Sequence, residues 1–300
     1  MIKGADFFVE GSSNVAKALK IPSLIIGLTL VSIGTSAPEL AVSVTSAIKQ
    51  QDAMSLGNVV GSNVFNVLVV IGSSALMIPL AVSKDILKKD IPILLGIYLL
   101  LGLFAFVIDP LKINWIEGAV IFALFFIYTI YLILRTKKEQ NSEEEEEIES
   151  NKPWWVNILL ILGGVTGIVL GGTFVVDSAE FIAGKLGMST NLISLTIVAV
   201  GTSLPELVTS IVAAKKGEND IAVGNAIGSC LFNIVLILGL SSIIYPVSLQ
   251  WNQLIDFGVM FVSVLLIFIF AFKSYKVNKW QGILFISCYI GYLTFIIVRN

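Results

Sequence analysis

Laid over itself at an offset of 167 residues, the chain repeats without a gap: Gly4 meets Gly171, Leu19 meets Leu186, Thr29 meets Thr196, Gly34 meets Gly201, Asn66 meets Asn233 and Pro79 meets Pro246. Past Pro79 the register slips by two or three residues, yet Trp115 and Gly118 still find counterparts in Trp280 and Gly282. Whatever its elements are, the fold is therefore a tandem duplication. Polarity then says what the elements are. With 56% hydrophobic and 13% charged residues among 300, the chain departs far from the soluble average of roughly 45 to 50% apolar and 25% charged. It reads as an all-α polytopic membrane protein.

At about 20 residues per crossing, the second half divides into five apolar segments, near 155–186, 190–214, 220–246, 254–272 and 280–298. Five is odd, so a second copy made in tandem enters from the opposite side of the bilayer, and the two copies are inverted about an axis in the membrane plane. The expected fold is two inverted five-helix repeats, ten helices in all: residues 1–135 as the first repeat, 136–153 as an acidic linker and 154–300 as the second. The first half supplies segments near 23–49, 53–80, 90–108 and 114–135, and its first helix is short. Residues 4–20 match 171–187, but the apolar run Trp155 to Leu170 has no counterpart before them. Either this is a natural short form, or the start has been lost by truncation or a misassigned initiator. Lys and Arg give the orientation. With the linker cytoplasmic, 14 of the 19 basic residues fall inside and 5 outside, which places both termini outside. The glutamates from Glu139 to Glu149 then make a solvated linker.

Several functions drop out on composition. A net charge of −2, spread over short loops, forms no basic face for nucleic acid. Cys230 and Cys288 lack metal or disulfide spacing and read as small apolar packers. Met1 to Lys20 carries Lys3, Asp6, Glu10 and Lys17 and offers no cleavable signal pattern. Asp6, Glu10, Asp177 and Glu180 lie on equivalent helices and read as markers of helix ends near an interface. No metal-protease helix, paired catalytic aspartates or serine with a basic partner is present, so the chain does not read as an enzyme.

The chemistry sits in a phrase that occurs twice. Ile33 to Val42 reads IGTSAPELAV and Val200 to Thr209 reads VGTSLPELVT, each inside an apolar stretch. A carboxylate in hydrocarbon is costly enough to imply function. On a helix Thr35, Ser36 and Ser43 share the face of Glu39, and Thr202, Ser203 and Ser210 share that of Glu206. Pro38 and Pro205 cannot donate to the carbonyls of Gly34 and Gly201, so each helix should break there and free main-chain oxygens. The next helix adds Asn58, Ser62 and Asn66 in one half and Asn225, Ser229 and Asn233 in the other. Gly57 with Gly61, and Gly224 with Gly228, are small residues four apart that let a neighbour approach closely. Carboxylate, amide, hydroxyl and carbonyl oxygens without histidine suit hard cations, and calcium more than magnesium.

These residues resemble the two alpha-repeats of the cation/calcium exchanger superfamily, most closely its sodium/calcium exchanger branch: GTSAPE with GNVVGSNVFN, and GTSLPE with GNAIGSCLFN. The resemblance covers essentially the whole chain. It implies ten helices with ions bound between the repeats. The cation ligands it implies are Thr35, Ser36, Glu39, Ser62 and Asn66, then Thr202, Ser203, Glu206, Ser229 and Asn233, completed by main-chain oxygens of Ser32 and Ala199. Potassium-dependent members, and some prokaryotic ones, carry Asp where this chain has Asn233, so the resemblance points to potassium-independent exchange of Na+ for Ca2+ across the cell membrane. Two glutamates balance one Ca2+ or two Na+, and a third Na+ makes the cycle electrogenic. A proton/calcium antiporter of the same superfamily and a passive cation channel are the alternatives. Neither a cofactor nor an obligate protein partner is expected beyond the transported Ca2+ and Na+ and the lipid bilayer.

Overall fold

The computed structural model describes residues 1–140, 152–185, 199–251 and 253–299. These residues are almost wholly helical. In chain order they form α1 (Ile2–Ala18), α2 (Ser23–Thr35), α3 (Ala37–Ile48), α4 (Asp52–Met77), α5 (Ile86–Ile108) and α6 (Trp115–Gln140). The second half supplies α7 (Trp154–Lys185), α8 (Ala199–Thr202), α9 (Leu204–Lys215), α10 (Asn219–Ile244), α11 (Gln253–Ser274) and α12 (Lys279–Arg299). Among the described residues, α4, α5, α6, α7, α10, α11 and α12 are long and apolar enough to cross a membrane, and α2 with α3 makes an eighth crossing bent by 51°. The chain is thus a multi-pass membrane protein.

Local sequence explains the elements that depart from straight helix. At Ser36, between α2 and α3, the backbone takes φ −82° and ψ 9°, and at Ser203, between α8 and α9, it takes φ −92° and ψ 6°. Both values lie in the sparsely populated region between helix and extended chain. Each break falls two residues before a proline, so Pro38 and Pro205 sit in the first turn of the helix that follows, where a missing N–H costs no hydrogen bond. Most of the segment expected over 190–214 is described only from Ala199 on. The short first helix has 17 residues against 32 in α7.

Close helix packing rests on glycine. A methyl on Gly4 would lie 2.8 Å from the Gly164 carbonyl, and one on Gly164 would lie 2.6 Å from the Phe8 nitrogen, so α1 and α7 touch backbone to backbone. Gly224 and Gly228 hold α10 against α2 in the same way, with a methyl on either meeting main-chain atoms of Leu24, Gly27 or Leu28. At Gly57 and Gly61 the expected close approach is not seen: no described atom lies within 4 Å of a methyl built there. The residues that the 167-residue register would bring to them, 191–198, are outside the described set. Gly72 on α4 meets Gly282 on α12, and Gly118 on α6 meets Gly239 on α10. The last helix of each half therefore packs on the other half.

Two short antiparallel straps add to this interlocking. Leu80–Ala81 (β1) pairs with Lys276–Val277 (β4), and Lys112–Ile113 (β2) with Val247–Ser248 (β3). Each strap joins the loop after one half's motif helix to the loop before the other half's last helix. Two buried polar triads pin each last helix to its own half. Arg135 and the Tyr128 hydroxyl both donate to Asp90, and Arg299 and the Tyr292 hydroxyl both donate to Asp256. Asp85, beside the first triad, also accepts from Arg135 at 2.8 Å and from Lys89 at 2.9 Å. Partial burial opposes its charge, but these cations outweigh that and hold its carboxyl below the usual range. Asp6 and Glu10 do not mark helix ends. They lie within α1 and reach Lys216 and Lys152, while Ser13 donates to Glu218. Asp177 lies within α7, and the side chain of Glu180 is outside the described set.

Candidate ion-binding site

The two helix breaks set the site. Ser36 and Ser203 occupy the breaks, and Glu39 and Glu206 are each the third residue of the helix beyond, where the positive end of the helix dipole favours a carboxylate. Both glutamates are fully buried. Each is held by the opposite half: the Ser203 hydroxyl donates to Glu39 Oε1 at 2.9 Å, and the Ser36 hydroxyl donates to Glu206 Oε1 at 2.7 Å. Behind these, Ser203 Oγ lies 3.0 Å from Ser62 Oγ, and Ser36 Oγ lies 3.0 Å from Ser229 Oγ. Ser229 also approaches Glu206 Oε1 at 3.4 Å. The acids, the break serines and the serines of α4 and α10 thus come together in one cluster.

A second ring of bonds crosses the halves in the same paired fashion. The Thr35 hydroxyl donates to Asn225 Oδ1 at 2.9 Å, and the Thr202 hydroxyl donates to Asn58 Oδ1 at 3.3 Å. Asn58 Nδ2 donates to the Glu39 carbonyl at 3.2 Å and to Ser43 Oγ at 2.9 Å. Asn225 Nδ2 does the same for the Glu206 carbonyl at 3.3 Å and Ser210 Oγ at 2.9 Å. Asn58 and Asn225 are visible in the sequence as part of the polar stripe, but not as the groups that tie α4 to α3 and α10 to α9. Helical spacing shows which residues share a face, not which neighbour that face meets.

Asn66 and Asn233 begin turns of wider π-helix, Asn66–Ile71 and Asn233–Leu238, and a third such turn, Gly27–Val31, leads into Ser32. Turns of this kind recur at functional sites because they redirect side chains and loosen the main-chain ladder. The Ser32 carbonyl accepts from the Ser36 N–H at 3.0 Å and lies 3.3 Å from the Thr35 hydroxyl oxygen. Ala199 is the first residue of α8.

The donor set leaves buried oxygens over. Among the described residues Glu39 Oε2, Glu206 Oε2, Asn233 Oδ1 and both amide atoms of Asn66 have no hydrogen-bond partner. Buried carboxylate and amide oxygens are costly without a partner, and the four oxygens among these atoms fit a cargo of hard cations. No group of three or more His, Cys, Asp or Glu side chains gathers among the described residues, so the negative charge at this site comes from the two glutamates.

Comparison with known proteins gives the family of the chain. The model of the family described as sodium/calcium exchanger protein matches residues 1–134 and 156–298. The sodium/calcium exchanger MaX1 of Methanosarcina acetivorans is 32% identical, with 98% of this chain and 94% of that protein aligned. The inner membrane protein YrbG of Escherichia coli is also 32% identical, over 98% of this chain and 92% of its own. A solved structure of the sodium-calcium exchanger NCX_Mj, soaked with Na+ and Sr2+, superposes with a TM-score of 0.83 at 34% identity, covering 96% of this chain and 92% of that one. With a family model and full-length relatives matched along nearly all of its length, this chain belongs to the sodium/calcium exchanger protein family.

Proposed function

We propose that this protein is a secondary active antiporter that exchanges Na+ for Ca2+ by alternating access, independently of K+ and with net movement of charge. One observation carries the reading: each buried glutamate is held through one oxygen by a serine of the opposite half, while its other oxygen has no partner among the described residues. A cation seated between those free oxygens would join the halves. The ligands would be Glu39, Glu206, Thr35, Ser36, Thr202, Ser203, Ser62, Asn66, Ser229 and Asn233, with the main-chain oxygens of Ser32 and Ala199. The Thr35 hydroxyl can keep its bond to Asn225 Oδ1 when an ion takes up the Ser32 carbonyl, which lies 3.3 Å away.

The architecture we infer is ten helices in two inverted units, 1–135 and 154–300, with the linker 136–153 cytoplasmic and both termini outside. The two straps support this: they pair loop to loop in a manner that a two-fold axis in the membrane plane would generate. No bond-making chemistry is assigned to the chain, and its partners in this reading are the two ions and the lipid.

Isotopic calcium uptake into proteoliposomes, under imposed sodium, potassium and proton gradients in turn, tests the proposal. Uphill calcium movement should follow the sodium gradient alone and survive a proton uncoupler. Uptake driven by the proton gradient would make the protein a proton/calcium antiporter, and purely downhill flux would make it a channel.

A further inference from the structure

Asn63 and Cys230 stand 167 residues apart at equivalent places in the two halves, and they face each other. Asn63 Nδ2 donates to the Cys230 carbonyl at 3.2 Å, and Cys230 Sγ donates to the Asn63 carbonyl at 3.6 Å. The pseudo-symmetry therefore passes between them, at a point where their side chains differ. A main-chain carbonyl only accepts, so it fixes which end of the Asn63 amide is the donor and leaves Asn63 Oδ1 on the other side. That oxygen accepts from Asn233 Nδ2 at 3.0 Å. The orientation is thus passed on: Asn233 spends its donor end on Asn63, and its own Oδ1 is buried with no partner among the described residues.

The other half has no such relay. Asn66 is the counterpart of Asn233, and the residue equivalent to Asn63 is Cys230, whose hydrogen goes to a main-chain carbonyl. Both amide atoms of Asn66 are buried and have no partner among the described residues. Two positions that are identical in sequence are therefore unequal in their support.

We propose that Asn63 is a positioning residue that holds the side-chain carbonyl of Asn233 toward the cation cage, whereas no described residue orients Asn66, whose side chain is set by the ion it meets. This rests on the reading of Asn233 as a ligand. It follows that the flanking site of the second half is pre-organised for Na+ and that of the first half is adaptable, so the two differ in affinity although their ligands match.

The test is displacement of isotopic calcium by sodium from the purified full-length protein, for Asn63→Ala, Asn63→Cys, Asn233→Ala and the double variants. Asn63→Cys places at 63 the side chain that already packs at 230, and it gives the answer if Asn63→Ala does not fold. Outer-shell partners of a metal ligand typically change affinity about tenfold or more. Either Asn63 variant should therefore raise the half-displacing sodium concentration about tenfold, and should have no further effect in the Asn233→Ala background. A shift that persists in that background, or no shift at all while Asn233→Ala does shift displacement, overturns the positioning role and leaves the ligand reading standing. If Asn233→Ala itself changes nothing, the ligand reading fails and the relay with it.

Discussion

Two glutamates carry the negative charge of the cluster, and each offers one oxygen that no group among the described residues satisfies. Replacing either by glutamine keeps the volume but puts an amide and no charge where a divalent cation is to sit. Glu39→Gln and Glu206→Gln are each expected to abolish calcium binding, read as isotopic calcium retained by purified protein, while thermal unfolding in detergent stays within a few degrees of the native value. Undiminished retention by either variant would take that residue out of the site. These two acids and their flanking hydroxyls were legible in the sequence because a doubled motif in hydrocarbon has little other reason to exist. Asn63 was not: it lies one residue beyond Ser62 on α4, off the polar stripe, and its importance comes from the main-chain carbonyl of Cys230, which sequence spacing cannot place.

Helix contacts and helix ends decide how those residues are held. Gly164 on α7 abuts the main chain of Phe8, whereas a methyl on its neighbour Gly163 meets nothing within 4 Å among the described residues. Gly164→Ala must push α1 off α7 and should cost about 1 to 3 kcal/mol, the usual range for overpacking; Gly163→Ala should be nearly neutral. Thermal unfolding of the two variants side by side reads the difference. Where α3 ends, Gln50 takes φ 59°, and the equivalent residue after α9 is Gly217 at φ +81°. A side chain in the left-handed region costs about 1 to 2 kcal/mol, offset by the extra freedom glycine loses on folding, roughly 0.5 to 1 kcal/mol. Gln50→Gly is therefore expected to stabilise the protein slightly, by up to about 1 kcal/mol in the same assay. The helical segments were readable from apolar length alone, but the breaks fell at Ser36 and Ser203 instead of at the prolines. Proline forbids a bond to the residue four before it, and the chain meets this by ending one helix early and using proline's fixed geometry to start the next.

Across the whole molecule, the duplication is the strongest constraint in the sequence, since nearly every element of one half has a counterpart about 167 residues on. What it left open was how the copies interlock. Straps, glycine contacts and last helices all reach from one half to the other, and each depends on backbone proximity that periodicity does not encode. If three Na+ exchange for one Ca2+, as proposed above, one charge crosses per cycle, worth about 2.3 kcal/mol per 100 mV. Calcium flux should differ markedly between clamped potentials of opposite sign in proteoliposomes, and equal flux at both would rule out an electrogenic cycle. The crossed pairing of serine and glutamate also bears on biosynthesis. While only the first 140 residues have left the ribosome, Glu39 has no Ser203 to hold it, so its carboxylate must enter the bilayer ahead of its partner. The cage can therefore close only once the second half of the chain has been made, because each glutamate is held by a serine of the other half.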